Sequence, residues 1–477
     1  MGDNFKKNMI GALTWSSVYI FGVQVVQLLI GIILARILMP EHFGLVGILF
    51  VFFGLSTVII DGGFGQGLIK KKQVDNADFS TIFFVNLTVS VVLYIILYLT
   101  APFLARFFDQ PDLTTLARIA FLAVLIFPLY QTQQIILLRN LNYKSLAIVN
   151  ILSVAVSGTI AVLMAVNKYG VWSLICQQLA FHFLRLVLFN LHNRWKPEFT
   201  FNKGTIRELW GFTLPLFGQT VLNVIFNHIY VVIIGRFYPI KQVGYFTQAN
   251  KYSETVNAAA QSILSMGTFP SFTKIQDDKE RLLRIFRKLT TSVSMLTFPI
   301  VVFLVVAAEP IVVTLITEKW LPSVLILQLL LLANIFSPQY TININILNAS
   351  GASHTTLKLE IIKKSLILIS VIVCFSFGIE AMLIGFIAAN SLAYLISMVS
   401  VKKLFKHFYK HQVGDIIKTL TLSIITGMIV WLFSYVPLTT SVILVLQGLG
   451  YLLIYIFFLY VFYPENIKEV AEIIKKK

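Results

Sequence analysis

Of 477 residues, 57% are hydrophobic and only 12% are charged, and 38 lysines and arginines against 21 acids leave a formal charge of +17. A water-soluble domain carries about 25% charged residues, so this composition excludes a soluble enzyme and a soluble nucleic-acid-binding domain alike. The apolar residues fall in continuous runs of about 20, enough for a helix to cross roughly 30 Å of hydrocarbon, and they do not alternate as barrel strands do.

The predicted fold class is therefore an all-α integral membrane protein with fourteen spans. Span 1, 12–36, is too long for a signal-peptide core, has no small-residue cleavage site after it, and ends on Arg36. Span 2, 43–61, runs into DGGFGQG. That run looks like a phosphate loop but lacks GxxxxGK[ST] and follows no strand, so Asp61, Gly63 and Gly65 are read as the turn leaving the span. Spans 3 and 4, 80–104 and 114–138, carry Arg118, Pro128, Gln131 and Gln134. Spans 5 and 6 are 146–167 and 170–191, and span 6 places Gln178, His182 and Arg185 at i, i+4, i+7.

After a basic linker, 191–204, span 7 (209–235) sets Gln219, Asn223 and Asn227 four residues apart on one face, flanked by His228. Span 8, 243–269, is the least apolar: it holds Gln248, Asn250, Lys251, Glu254, Asn257 and Gln261. Spans 9 and 10 are 285–308 and 322–348, and span 10 carries Pro338, Gln339 and Asn343. Spans 11 to 14 are 357–377, 380–400, 415–435 and 440–462.

A charge at mid-membrane costs about 2.5–3.5 kcal/mol even on the mildest scale, so spans 7 and 8 should not turn these groups to lipid. Read functionally, their polar faces wall a wet cavity that meets a polar substrate. Lys251 would then meet an anion, and Glu254 would be its partner or a proton-coupling carboxylate. Read structurally, the amides are interhelical glue and Lys251–Glu254 is an internal ion pair. Arg118 and Arg185 are candidates for the same cavity, or cations snorkelling to an interface. Gln131 and Gln339 bring amides from spans 4 and 10. Arg36 and Arg236, which end spans 1 and 7, are read as structural, with Asp109 or Glu41 as partners. Pro128, Pro215, Pro299 and Pro338 fall inside predicted spans and are candidate hinges.

The basic residues are not spread evenly. With both termini on one side, that side holds 29 of them, Lys358, Lys363, Lys364 and the C-terminal lysines included, against six on the other. This asymmetry predicts cytoplasmic termini and a cytoplasmic 270–285 loop. A basic cytoplasmic face also attracts anionic lipid. Cys176 and Cys374 lie inside spans, so no external disulfide framework is expected.

An internal repeat organises the chain. Arg36 and Arg236, Gly44 and Gly244, and Gly67 and Gly267 match at an offset of 200. Pro102 and Pro310, Gln131 and Gln339, Asn140 and Asn348, and Gly170 and Gly378 match at 208. The step of eight falls in the loop after span 8. Each repeat holds an even number of spans, six, so the two should be parallel, with a substrate cleft between them near the midplane. The expected domains are an N-lobe (1–200), a C-lobe (201–408), and two added helices with a C-terminal tail (409–477).

LARILMPEHFGLVGI, followed by IIDGGFGQGLIKKK and FSTIFFVNL, resembles the N-terminal signature of Wzx-like flippases of the bacterial polysaccharide transporter family, near the colanic-acid-exporter type. That family shares a superfamily with the multidrug and toxin extruders. Arg36, Pro40, Phe43, Gly44, Asp61, Gly63, Gly65 and Gly67 carry the most specific part of the match. The resemblance implies a bacterial inner-membrane carrier of undecaprenyl-diphosphate-linked oligosaccharide, without nucleic acid, cofactor or metal. It is also compatible with H+ or Na+ coupling and with glycan polymerase partners. Two alternatives stand beside it: a cation-coupled multidrug extruder of the same superfamily, and a membrane glycan polymerase or ligase. The second would need a sizeable external loop. No nucleotide, HExxH or GxSxG motif is present.

Overall fold

The computed structural model of the chain describes residues 2–273, 278–404 and 409–464. Lys274 within the expected cytoplasmic loop, Lys406 and the C-terminal lysines lie outside the described residues. The described residues form helices α1 (Gly2–Ile37), α2 (Pro40–Asp61), α3 (Phe64–Lys70), α4 (Asn76–Phe107), α5 (Leu113–Ala120), α6 (Leu122–Arg139), α7 (Tyr143–Val166), α8 (Val171–His192), α9 (Lys203–Phe237) and α10 (Ile240–Thr273). They continue through α11 (Lys279–Val306), α12 (Ala308–Ile316), α13 (Pro322–Ala333), α14 (Ser337–Ala349), α15 (Ser353–Cys374), α16 (Ile379–Leu404), α17 (Tyr409–Trp431) and α18 (Thr440–Phe462).

Among the described residues, 12 helical segments are both long and apolar enough to cross a membrane. Two long helices outside that set, α10 and α15, are more polar, and with them the segments reach the fourteen predicted spans. Span 4 is built from α5 and α6, which meet at Phe121. Span 10 is likewise α13 followed by α14. Pro338 is thus no hinge within a continuous helix. It sits in the first turn of α14, where its missing N–H would have no helical partner in any case. Pro128, Pro215 and Pro299 do lie inside α6, α9 and α11. Lys358, Lys363 and Lys364, counted above with the loops although span 11 contains them, lie inside α15, which starts at Ser353; Lys358 is exposed there and Lys363 and Lys364 are half-buried.

Helix ends repeat at the offsets of the sequence matches. α1 and α9 end at Ile37 and Phe237, α2 and α10 start at Pro40 and Ile240, and α8 and α16 start at Val171 and Ile379. Gly170 and Gly378, which precede the last pair, both take the positive φ that favours glycine, 57° and 108°.

The chain divides into two compact units, Met1–Thr247 and Gln248–Lys477. In the first, α7 packs between α1 and α8, α6 lies against α4 and α8, and α2 runs along α9. In the second, α16 packs on α13, α14 and α15, and α17 on α11 and α18. Large apolar side chains stand exposed along single helices: Val92, Ile95, Leu99 and Phe103 on α4, and Leu449, Leu453, Phe457 and Tyr460 on α18. In water such stripes would be unstable, and in hydrocarbon they are the natural outer surface.

Candidate functional site

The end of α2 builds the first polar site. The helix stops at Asp61 because Gly62 and Gly63 turn left-handed, with φ of 55° and 79°. The short α3 that follows lies on α9. A β-carbon at Gly63 would sit 2.9 Å from the Thr213 carbonyl oxygen, and one at Gly67 would sit 2.9 Å from Thr213 Cγ2. The turn expected at DGGFGQG is present, and it aims Asp61 inward. Asp61 Oδ1 accepts from the Gly65 N–H at 3.2 Å and from Gln131 Nε2 at 2.5 Å. Gln131 in turn accepts at Oε1 from Asn86 Nδ2 at 3.2 Å.

Asp61 and Gln131 line a cavity of about 330 Å³ in the first unit, together with Thr57 and Phe53 of α2, Phe127 and Tyr130 of α6, His182 and Arg185 of α8, and Phe217 and Thr220 of α9. Arg185 is only 9% exposed. It donates from Nη1 to the Tyr130 hydroxyl at 3.1 Å and from Nη2 to Gln134 Oε1 at 2.6 Å. Its guanidinium lies over the rings of Tyr130, Phe181 and Phe189, at 4.5, 5.2 and 5.6 Å. Its Nε is buried without a hydrogen-bond partner. The Tyr130 hydroxyl accepts from Arg185, so its own proton is directed to His182 Nδ1 at 2.8 Å. Both of Arg185's hydrogen-bond partners are therefore neutral groups.

The C-terminal end of α3, outside this cavity, is clamped by charge. Arg139, the last residue of α6, donates to the carbonyls of Leu68, Ile69, Lys71 and Lys72 at 2.6, 3.2, 2.6 and 2.9 Å, closing the C-terminal end of α3. Lys71 bridges Asp78 at 2.9 Å and Glu208 at 3.0 Å, tying α3 to α4 and α9. Burial pushes the Lys71 ammonium down, but the hydrogen bonds and charges of Asp78 and Glu208 outweigh it and raise its pKa above the ordinary lysine value.

The second unit holds the charged part of α10. Lys251 and Glu254 are exposed, Asn250, Asn257 and Gln261 half-buried, and Gln248 buried. Gln248 donates to the Tyr252 hydroxyl at 3.0 Å, and Gln261 to Ser337 Oγ at 3.2 Å. The ion pair drawn from sequence between Lys251 and Glu254 is not among those of the described residues. Glu254 instead lies within electrostatic reach of Lys363 on α15. Lys363 sits 4.6 Å over the Tyr340 ring, and Tyr340 donates its hydroxyl to Glu360 at 3.1 Å. Gln339 is buried and donates to Ser294 Oγ at 3.1 Å and Thr297 Oγ1 at 3.2 Å. On α9, Gln219 and Asn227 are exposed and Asn223 half-buried.

Arg118 stays at the α4–α5 edge, 4.5 Å over the Tyr98 ring. Arg236 donates to the Phe107 carbonyl at 2.7 Å. Gly44 and Gly244 meet face to face: a β-carbon on Gly44 would lie 3.1 Å from the Gly244 nitrogen. Nearby, Lys241 reaches Glu41 at 4.0 Å. Sequence reasoning missed Tyr130 and Lys363, and it placed Asp61 in a turn rather than on a cavity. The one signal for Lys363 was its spacing from Glu360, i to i+3 inside a helix-length run.

Residues 33–325 match the family model described as "Polysaccharide biosynthesis protein". The chain is 26% identical over 291 residues to the succinoglycan biosynthesis transport protein ExoT of Rhizobium meliloti, covering 60% of this chain and 58% of that one. It is 24% identical over 298 residues to the teichuronic acid biosynthesis protein TuaB of Bacillus subtilis, covering 62% of each. It is 24% identical over 332 residues to the lipopolysaccharide biosynthesis protein WzxC of Escherichia coli, covering 69% and 67%. The matched part thus spans 58% and 62% of the length of the first two relatives. In fold, the chain is similar to the lipid II flippase MurJ in an inward closed conformation, with TM-score 0.74 at 17% identity, covering 95% of this chain and 99% of that one. An inward-facing MATE multidrug transporter follows at TM-score 0.62 and 15% identity, covering 82% and 99%. With well over half its length matched, this multi-pass membrane chain belongs to the polysaccharide biosynthesis protein family.

Proposed function

We propose that the chain is a carrier, not an enzyme, that flips undecaprenyl-diphosphate-linked oligosaccharide across the bacterial inner membrane by alternating access. The family and the transport role in a relative's name support this reading. The observation that carries it is Lys251, exposed on a 34-residue helix of a membrane bundle. Lipid around that ammonium would cost about 2.5–3.5 kcal/mol, so Lys251 faces water, where it offsets the diphosphate's charge. Gln219, Asn223, Asn227, Asn250 and Asn257 offer donors and acceptors to the glycan hydroxyls. The polyprenyl tail never has to leave hydrocarbon.

In this reading the lobes are 1–200 and 201–408, residues 409–477 are an addition, and both termini are cytoplasmic. The energy comes from an H+ or Na+ gradient, or from a glycan polymerase that consumes the product. The test is export in a strain lacking its own flippase, at matched expression. Lys251→Arg is expected to retain export and Lys251→Ala to lose about tenfold or more. If Lys251→Ala exports glycan as well as the parent, Lys251 is not the anion contact.

A further inference from the structure

The cavity of the first unit is not explained by a diphosphate contact at Lys251. Its polar lining includes a carboxylate, Asp61, and a guanidinium, Arg185, together with Gln66, Gln131, Tyr130, His182 and the hydroxyls of Thr57 and Thr220. Among the described residues, no ion pair joins either Asp61 or Arg185 to an opposite charge. Arg185 keeps a buried, unpartnered Nε. Arg185 is buried and Asp61 half-buried, and neither has a charged partner among the described residues, so a ligand in this cavity would meet both signs at once.

A diphosphate would meet the Asp61 carboxylate, and an organic cation would meet Arg185. A ring bearing several hydroxyls suits both, because each hydroxyl donates one bond and accepts two. The walls also include Phe53, Phe127 and Phe217, whose faces suit the C–H side of such a ring. A volume of about 330 Å³ is at the small end of ligand pockets, which fits one ring and not a chain of them.

We propose that this cavity is a sugar subsite: it takes one uncharged pyranose of the glycan, whose hydroxyls donate to Asp61 and accept from Arg185. The subsite deepens the carrier reading and rests on it for the source of the sugar. Asp61 and Arg185 then select the glycan by its sugar hydroxyls. The Gly62–Gly63 turn is what brings Asp61 to this position.

The test is saturation-transfer NMR on the full chain in detergent micelles, with methyl glycosides of glucose, galactose, mannose, N-acetylglucosamine and glucuronic acid. Transfer to at least one uncharged glycoside is expected, undiminished by inorganic diphosphate. It should fall about tenfold or more in Asp61→Asn and in Arg185→Gln, each of which removes a charged hydrogen-bond partner. Thr220→Trp, which fills the cavity without touching the Asp61 hydrogen bonds, should abolish it while leaving the thermal unfolding midpoint near the parent's, which separates a blocked site from a misfolded one. The proposal is overturned by transfer to no glycoside, by transfer to the glucuronoside alone, by competition from diphosphate, or by equal transfer in all three variants. If transfer persists in all three variants while Lys251→Ala still loses export, the subsite falls and the carrier reading stands. If the parent restores no export yet the variants lose transfer, the reverse holds.

Discussion

Gly244 has no room for a side chain. A β-carbon there would lie 1.9 Å from the Pro40 carbonyl oxygen, and one on Gly44 would lie 2.3 Å from the Ile240 carbonyl oxygen. Both obstacles are backbone, so neither helix start can yield by rotating a side chain. Gly218, inside α9, has nothing within 4 Å. Gly244→Ala should therefore destabilise the detergent-solubilised protein by about 1–3 kcal/mol or more through overpacking. Gly218→Ala should be neutral, or stabilising by up to about 1 kcal/mol through helix propensity. Thermal unfolding midpoints check the pair, and equal midpoints would contradict the close crossing. The sequence marked Gly44 and Gly244 as equivalent, through their common offset. That equivalent glycines would face each other is a fact of tertiary packing, which no offset encodes. Asp61 is the harder case. Its neighbours in the cavity come from α6, α8 and α9, far along the chain, so local pattern could read the glycine turn but not what the turn aims at.

Helix existence was legible because each span must be apolar over about 20 residues. Breaks within spans were not, since hydropathy averages over a window and is blind to a missing backbone bond: α5 with α6, and α13 with α14, each read as one run. α15 was legible as span 11, but the partners of its charges were not: Lys363 lies over Tyr340 of α14, with Glu254 within electrostatic reach. At the α3 clamp, Lys71 gives an element-scale prediction. Its pKa is raised in the folded protein, so its contribution is fully present below the unfolded value and is lost as pH rises through the folded one. The ordinary lysine value is 10.5, so the loss falls above that pH. Lys71→Met should cost roughly 1 kcal/mol at neutral pH, because Asp78 keeps its bond from Thr205 Oγ1. The difference from the parent should persist to pH 10 and close only at higher pH. Urea unfolding at several pH values measures it, and a difference that disappears below pH 9 would contradict the pairing.

For the whole molecule, charge asymmetry carries more than hydropathy does. It predicts a cytoplasmic loop before α11, whose N-terminal cap is the Asp278 carboxylate accepting from the Arg281 N–H at 3.0 Å. Glu280 is exposed next to that cap. With Cys176 and Cys374 replaced by serine, a cysteine in place of Glu280 should resist an impermeant maleimide in intact cells and react after permeabilisation. Labelling without permeabilisation would reverse the topology. The proposed carrier moves a lipid-linked glycan by meeting its charge at Lys251 on α10. Reconstitution measures this: the purified chain in liposomes, with undecaprenyl-diphosphate oligosaccharide in the inner leaflet and an impermeant lectin outside. Lectin-accessible glycan is expected only with the chain present, and about tenfold or more slowly with Lys251→Ala. Liposomes that expose no glycan beyond the protein-free control, whatever gradient is imposed, would contradict it.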